Sequence, residues 1–252
     1  MAHDEGDYGR LFPVARAVLA PVMRFAWRIH TEGLENIPSD GPAILCPNHT
    51  SVLDSFFLPV ALLPVSGSRR VMFVGKAEYL DSWKTRYVFP AMGMIPIDRS
   101  GGEAAQRALD LAAEALGRGE LFGIYPEGTR SRDGRLHKGH TGPARLAFRT
   151  GAPLVPVGIV GSRRIQPPDA KMPRVFEPCL VRIGRPIDPK HYSDRAEDRL
   201  VLRQVTDELM FEIRGLSGQE YVDDYATRGR GNDAEGPVAR SSADVLATAT
   251  VR

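Results

Sequence analysis

A histidine and an aspartate stand five positions apart in the run NHTSVLD, residues 48–54, between two apolar stretches. Imidazole gains and loses a proton near neutral pH. A carboxylate bonded to one ring nitrogen fixes the tautomer and leaves the other nitrogen free to take a proton from a hydroxyl. His49 and Asp54 are therefore candidates for a general-base dyad. The spacing alone is equally that of a His and an Asp that cap a helix and do nothing more. No activated nucleophile accompanies the pair: there is no GxSxG elbow, and Ser51 and Ser55 remain only formal candidates. A base without its own nucleophile suits activation of a hydroxyl on a bound acceptor, with direct transfer of a group in one displacement.

Two further blocks carry charge at the ends of apolar runs. GMIPIDR, residues 93–99, ends in Asp98 and Arg99, and YPEGTRSR, residues 125–132, places Glu127, Gly128, Thr129 and Arg130 in a glycine turn. Each could be a surface turn with a salt bridge. Together they put Arg99 and Arg130 beyond strand ends, where guanidinium groups can hold a phosphate bidentately. Lys76, after VMFV, and Lys138, in HKGH, can add positive charge to the same mouth. His137 and His140 invite a metal reading, but no HExxH or wider Cys/His set supports one, so no metal is expected. The absence of a P-loop and of a GxGxxG run after a strand argues against ATP and dinucleotides. Cys46 and Cys179 form no CxxC or Cys/His cluster, and read as buried thiols in a reducing, intracellular compartment.

The elements that must position these groups alternate. Apolar, β-branched runs at residues 43–46, 71–74, 94–97, 121–125, 154–160 and 180–183 read as strands. Segments 51–63, 102–117, 139–150 and 196–214 read as helices; in the second, Ala105, Leu109, Ala112, Ala113 and Leu116 form a stripe at spacings of three and four. This order predicts an α/β fold, a mostly parallel central sheet flanked by helices, with functional residues on the loops leaving the strand ends. The net charge of +2 and the lack of any long Lys/Arg run argue against nucleic acid.

Residues 8–29 contain Arg16, Arg24 and Arg28 among Leu, Val, Phe, Met and Trp. The charge-free stretches are too short to span a bilayer, and acidic residues precede them where a signal peptide would be basic. Two readings stand open: a helix packed on the core, with Pro21 as a kink, or an amphipathic helix lying in a membrane surface. From Thr227 onward the composition predicts a disordered tail. The expected organisation is an amino-terminal helical segment over residues 1–32, a catalytic domain over 33–226 and a tail over 227–252.

Taken in order, NHTSVLD, GMIPIDR, YPEGTRS and APLVPVGI resemble the four motifs of the glycerolipid acyltransferase family, to which bacterial 1-acylglycerol-3-phosphate acyltransferases belong. The likeness spans residues 33–214, with Tyr125 standing where the family usually has Phe. The resemblance implies that His49 and Asp54 are catalytic, and that Arg99, Glu127, Gly128 and Arg130 shape the acceptor site; Thr129, Lys76 and Lys138 join them as substrate-binding candidates. Backbone N–H groups near Gly128 and Thr129 would face the oxyanion. It implies transfer of an acyl group from acyl-CoA or acyl-carrier protein to the free hydroxyl of lysophosphatidate, with no cofactor. The implied surroundings are a membrane surface on the cytoplasmic side, with the protein peripheral or monotopic. Alternatives are another lysophospholipid or glycolipid acceptor, a thioesterase, or a noncatalytic lipid-binding protein.

Overall fold

The structure, a computed structural model, describes residues 15–67, 69–76, 93–97, 103–195 and 198–227. Its frame follows from strand β2 (Ala43–Pro47), in which all five residues are buried. Side chains alternate across a strand, and here both faces are covered: Ala43 and Leu45 enter one apolar cluster, Ile44 and Cys46 the other.

Around β2 the chain builds a seven-stranded sheet. In chain order the elements are helix α1 (Ala20–Ala26), β1 (His30–Glu32), β2, α2 (Asp54–Leu62), β3 (Val71–Lys76), β4 (Met94–Ile97), α3 (Ala104–Gly117) and β5 (Leu121–Gly123). There follow β6 (Leu136–His137), α4 (Gly142–Thr150), β7 (Leu154–Val160), α5 (Ser162–Ile165), β8 (Leu180–Ile183), α6 (Arg199–Ser217) and β9 (Tyr221–Val222). The strand order is β1-β8-β7-β2-β5-β3-β4, and every neighbouring pair is parallel except β7 with β8. Helices α1 and α2, with Ile165 of α5, cover one face, while α3, α4 and α6 cover the other. Helix α6 lies so close on β7 that a Cβ on Gly158 would stand 2.5 Å from the Leu216 carbonyl carbon, so only glycine fits there. Because β2, β5, β3 and β4 run in one direction, their carboxyl ends share one edge of the sheet. Pro47, Gly123, Lys76 and Ile97 end there, and the segments bearing the candidate site residues depart from it.

The alternating α/β reading holds, with local differences. The run 121–125 is strand only to Gly123, because the chain turns out at Tyr125-Pro126. Helix α2 starts at Asp54 rather than residue 51, and α4 at Gly142 with Pro in its first turn, a position that needs no N–H. In α3 the buried stripe is Ala112, Ala115 and Leu116; Ala105, in the first turn, is exposed. Strands β1, β6 and β9 and helix α5 have two to four residues each, too few to show a period. Both cysteines are buried and free, and burial pushes their thiols up, away from reactivity.

At the amino end, a π-helical turn (Ala15–Leu19) leads into α1, and Pro21 sits in that helix's first turn instead of kinking it. Ala20 and Met23 pack on the core, whereas Val18, Val22 and Phe25 are exposed. Thus one face of the segment is packed and the other is open to its surroundings. Among the described residues, no helix is long and apolar enough to cross a membrane. Arg99 and the tail beyond Thr227 lie outside the described residues.

Candidate active site

The site begins where β2 ends. Buried Asn48 donates through Nδ2 to Ile159 O (3.0 Å) and to Gln219 Oε1 (2.8 Å), and its Oδ1 accepts from Ile159 N (2.7 Å). These bonds clamp the chain to β7 just before His49. Thr50 Oγ1 lies 3.0 Å from Ser162 Oγ, both buried, which fixes the next residue.

Thr50 and Ser51 are by type residues that cap a helix with their side chains, but here the interaction runs the other way. Asp54, the first residue of α2, turns its carboxylate back onto the loop: Oδ2 accepts from Thr50 N and Ser51 N, each at 2.8 Å, and lies 3.0 Å from His49 Nδ1. An oxygen already accepting two N–H bonds is an acceptor for the ring as well, so the imidazole proton belongs on Nδ1 and Nε2 is left as the basic nitrogen. Asp54 is fully buried and His49 is 15% exposed at its side chain, so the aspartate is sheltered while the imidazole reaches the surface. Asp54 Oδ1 is buried with no hydrogen-bond partner among the described residues.

The His49 ring is stacked on Tyr125, with centroids 3.7 Å apart and planes 16° from parallel. Tyr125 in turn holds Ser55 Oγ through its hydroxyl at 2.6 Å. Burial, and then the Asp54 charge, push the phenol well above its usual range, against the Ser55 bond, so Tyr125 stays neutral. Ser55 is occupied by Tyr125, and Ser51 Oγ accepts from Leu53 N (3.2 Å); neither is bonded to His49 as a nucleophile would be. Tyr125→Phe keeps the stack and removes one hydroxyl pair. It should therefore cost about 0.5–1.5 kcal/mol of stability and little of the reaction rate. Denaturant titration beside a rate assay checks this, and a large loss of rate at unchanged stability would give the hydroxyl a chemical role.

Glu127 joins the two halves of the site. Its Oε1 accepts from His49 N and its Oε2 from His137 N, both at 3.0 Å, and the side chain is almost fully buried. On the other side of the same residue, Ser131 N donates to His49 O (2.7 Å). The His49 backbone is thus held at both its N–H and its carbonyl by the YPEGTRS turn. Burial pushes the Glu127 carboxyl from its ordinary 4.5 up to about 8, against the lowering effect of the two N–H bonds. A carboxyl raised in the folded state binds its proton more tightly there than when unfolded. Its stabilising contribution is complete below about 4.5 and is lost as pH rises to about 8. Thermal midpoints should fall across that window in wild type. In Glu127→Gln they should start lower, because one N–H loses its acceptor, and stay flatter; equal slopes would contradict the assignment.

The remaining candidates divide. Gly128 takes φ 71°, and a Cβ there would stand 3.0 Å from His140 Cδ2, so the turn requires glycine. Its N–H donates to Tyr125 O (3.1 Å), which removes it as an oxyanion donor. The Thr129 N–H has no hydrogen-bond partner among the described residues. Arg130 Nη1 donates to Pro168 O (3.1 Å), which holds the guanidinium against residues 166–177. Lys138 is engaged by Asp223 at 2.9 Å and so is not a free cation at the mouth. Lys76 ends β3 on the shared strand edge, opposite Ile97 of β4. His137 Nε2 meets Asp133 at 3.1 Å. Burial works upward on Asp133, but Arg135, His137 and Ser131 together hold it well below the usual carboxylate range. Among the described residues, no group of three or more His, Cys, Asp or Glu could hold a metal ion.

Asn48, Tyr125 and Ser131 were not among the candidates from sequence, and Ser55 was one only as a formal nucleophile, although each lies within or beside a motif. Their roles are hydrogen bonds and a ring stack across the fold, for which spacing gives no signal.

The sequence model of the family described as Acyltransferase matches residues 28–160, more than half of the chain. The chain is 33% identical over 142 residues to the chloroplastic 1-acyl-sn-glycerol-3-phosphate acyltransferase LPAT1 of Arabidopsis thaliana, covering 56% of this chain and 38% of that protein. It is 29% identical over 136 residues to the 1-acyl-sn-glycerol-3-phosphate acyltransferase of Borreliella burgdorferi, covering 52% and 50%. The matched stretches thus span half or less of these relatives. The crystal structure of the 1-acyl-sn-glycerophosphate acyltransferase PlsC from Thermotoga maritima superposes with a TM-score of 0.59 at 27% identity, covering 85% of this chain and 84% of that one. The fold is shared over most of both chains, and the chain described here belongs to the acyltransferase family.

Proposed function

We propose that the protein transfers a fatty acyl group from an acyl thioester, acyl-CoA or acyl-carrier protein, to the free hydroxyl of 1-acyl-sn-glycerol-3-phosphate, giving phosphatidate. The observation that carries this reading is the His49 Nδ1 to Asp54 Oδ2 contact at 3.0 Å, which leaves Nε2 as the base, with no nucleophile bonded to the ring among the described residues. His49 Nε2 removes the acceptor's hydroxyl proton as its oxygen attacks the thioester carbonyl, and Asp54 stabilises the imidazolium that forms. Collapse of the tetrahedral intermediate breaks the carbon–sulfur bond. The departing thiolate takes the proton back from His49. The Thr129 N–H is the backbone donor left for the oxyanion, with Gly128 shaping the turn that presents it.

Arg130, with Lys76 at the end of β3 and Arg99, two positions after β4 in the sequence, accounts for the acceptor's phosphate, while Glu127 fixes the His49 backbone. Arg130→Ala should raise the acceptor KM by about 10- to 100-fold, the range for a lost charge-assisted pair, with a smaller change in kcat. Unchanged KM and kcat would remove Arg130 from the site. Both substrates are amphiphiles, and the exposed outer face of α1 supports peripheral association with a membrane surface. The experiment is an acceptor panel run with a long-chain acyl-CoA and, in parallel, with the acyl-carrier protein thioester: lysophosphatidate, lysophosphatidylcholine, lysophosphatidylglycerol and no acceptor. Preference for lysophosphatidate is the expected result. Preference for another head group would reassign the acceptor, hydrolysis indifferent to acceptor would make the protein a thioesterase, and inactivity with either kind of donor would leave a lipid-binding protein.

A further inference from the structure

The segment between α5 and β8 carries a feature that the chemistry does not use. Met172, Val175 and Phe176 are exposed by 78%, 54% and 58%. They are not loosely displayed. Phe176 N donates to Ala26 O (2.6 Å), Trp27 Nε1 donates to Arg174 O (2.8 Å), and Cys179 N donates to Trp27 O (3.0 Å). Phe176 takes φ 64° and Arg28, across from it, φ 40°, a costly conformation for residues with a Cβ. The surrounding bonds hold an aromatic side chain outward in spite of that cost.

Phe176 meets Phe25 edge to face at 6.3 Å, so the exposed face of the amino-terminal helix, Val18, Val22 and Phe25, continues into this segment. The joint surface is apolar at its centre. At its border Arg28, Lys171 and Arg174 are exposed and make no ion pair among the described residues, whereas Glu177 is neutralised by Arg164 at 2.7 Å. An apolar centre with a basic rim complements one kind of partner, an anionic bilayer whose headgroups meet the cations while the side chains enter the acyl boundary.

The near end of the same segment is tied to the site. Arg130 Nη1 holds Pro168 O, and Arg132 pairs with Asp169 at 3.1 Å. We propose that residues 171–176 form a second lipid-docking element, which with the outer face of α1 seats the protein on anionic membrane and sets the arginine turn beside the lipid from which the acceptor is drawn. The clause about the acceptor rests on the acyltransferase reading; the docking itself does not.

The test is co-sedimentation of the full chain with phosphatidylcholine vesicles, with and without phosphatidylglycerol, for wild type, Met172→Ser/Phe176→Ser and Lys171→Glu/Arg174→Glu. The first double variant should lower the partition coefficient on anionic vesicles by at least about tenfold, from the apolar area withdrawn. The second should lower it by about tenfold or more, with wild-type binding weakening as salt is raised. Transfer to lysophosphatidate embedded in vesicles should fall in parallel, while transfer to a short-chain, monomeric acceptor should not. Unchanged partitioning of both variants would overturn the proposal. So would variants that alter only the sedimentation coefficient of the chain without vesicles, which would give the patch to a second copy. Loss of vesicle binding in a protein without transfer activity would uphold the docking surface and defeat the acyltransferase reading instead.

Discussion

His49→Ala should fold as wild type does and lose roughly 10²- to 10⁴-fold in the rate of acyl transfer, the span of a positioned general base. The fold is expected to survive because the bonds that shape this loop do not use the ring. The His49 N–H goes to Glu127 and its carbonyl receives Ser131 N, both through the backbone, while Asn48 and Thr50 anchor the flanking residues. What the substitution removes is the imidazole bonded to Asp54, the base of the proposed mechanism, together with its stack on Tyr125. Circular dichroism and vesicle binding should be unchanged beside the lost rate. Turnover near wild type would end the dyad account, and global unfolding would show that the stack matters more to the fold than the backbone bonds imply.

Asp54→Asn carries the second large effect. One carboxylate oxygen serves His49 Nδ1, Thr50 N and Ser51 N at once, inside a buried site at the start of α2. An asparagine oxygen can still accept from the two backbone N–H groups and preserve the loop, but it brings no charge to stabilise an imidazolium, and it can set the wrong tautomer. The expected loss is on the order of 10²- to 10⁴-fold in kcat, by the reasoning that applies to an aspartate behind any catalytic histidine, with about 1 kcal/mol or less of stability. Asp54→Ala differs in that it strands both N–H groups, adding about 1–3 kcal/mol for each that stays buried. A rate close to wild type in Asp54→Asn would reduce Asp54 to a loop clamp.

The alternating order of strand and helix was legible because β2 and β7 are buried on both faces and read as unbroken apolar runs. The edge strand His30–Glu32 was not, since three residues with only partial burial show no alternation. Within the site, the five-residue spacing of His49 and Asp54 and the glycine turn at Gly128 were visible as residue types. Which way the capping interaction ran was not. Thr50 and Ser51 are good capping residues by type, yet it is their N–H groups that the Asp54 carboxylate takes up, a choice made by the three-dimensional turn. Lys138 shows the opposite failure: its charge promised a phosphate ligand, but Asp223, more than eighty positions later in the chain, claims it. Tyr125 was seen only as a departure from a family pattern. Its partnership with Ser55 and His49 needed the turn after β5 to bring it back across β2.

The most direct test is to follow acyl-CoA consumed and phosphatidate formed, with lysophosphatidate as acceptor, for wild type and His49→Ala side by side. The account predicts that wild type consumes thioester only when acceptor is present, mole for mole with phosphatidate, and that the variant does neither at a comparable rate. Thioester consumption by wild type that yields free fatty acid without phosphatidate, or phosphatidate formed equally by both proteins, would contradict it.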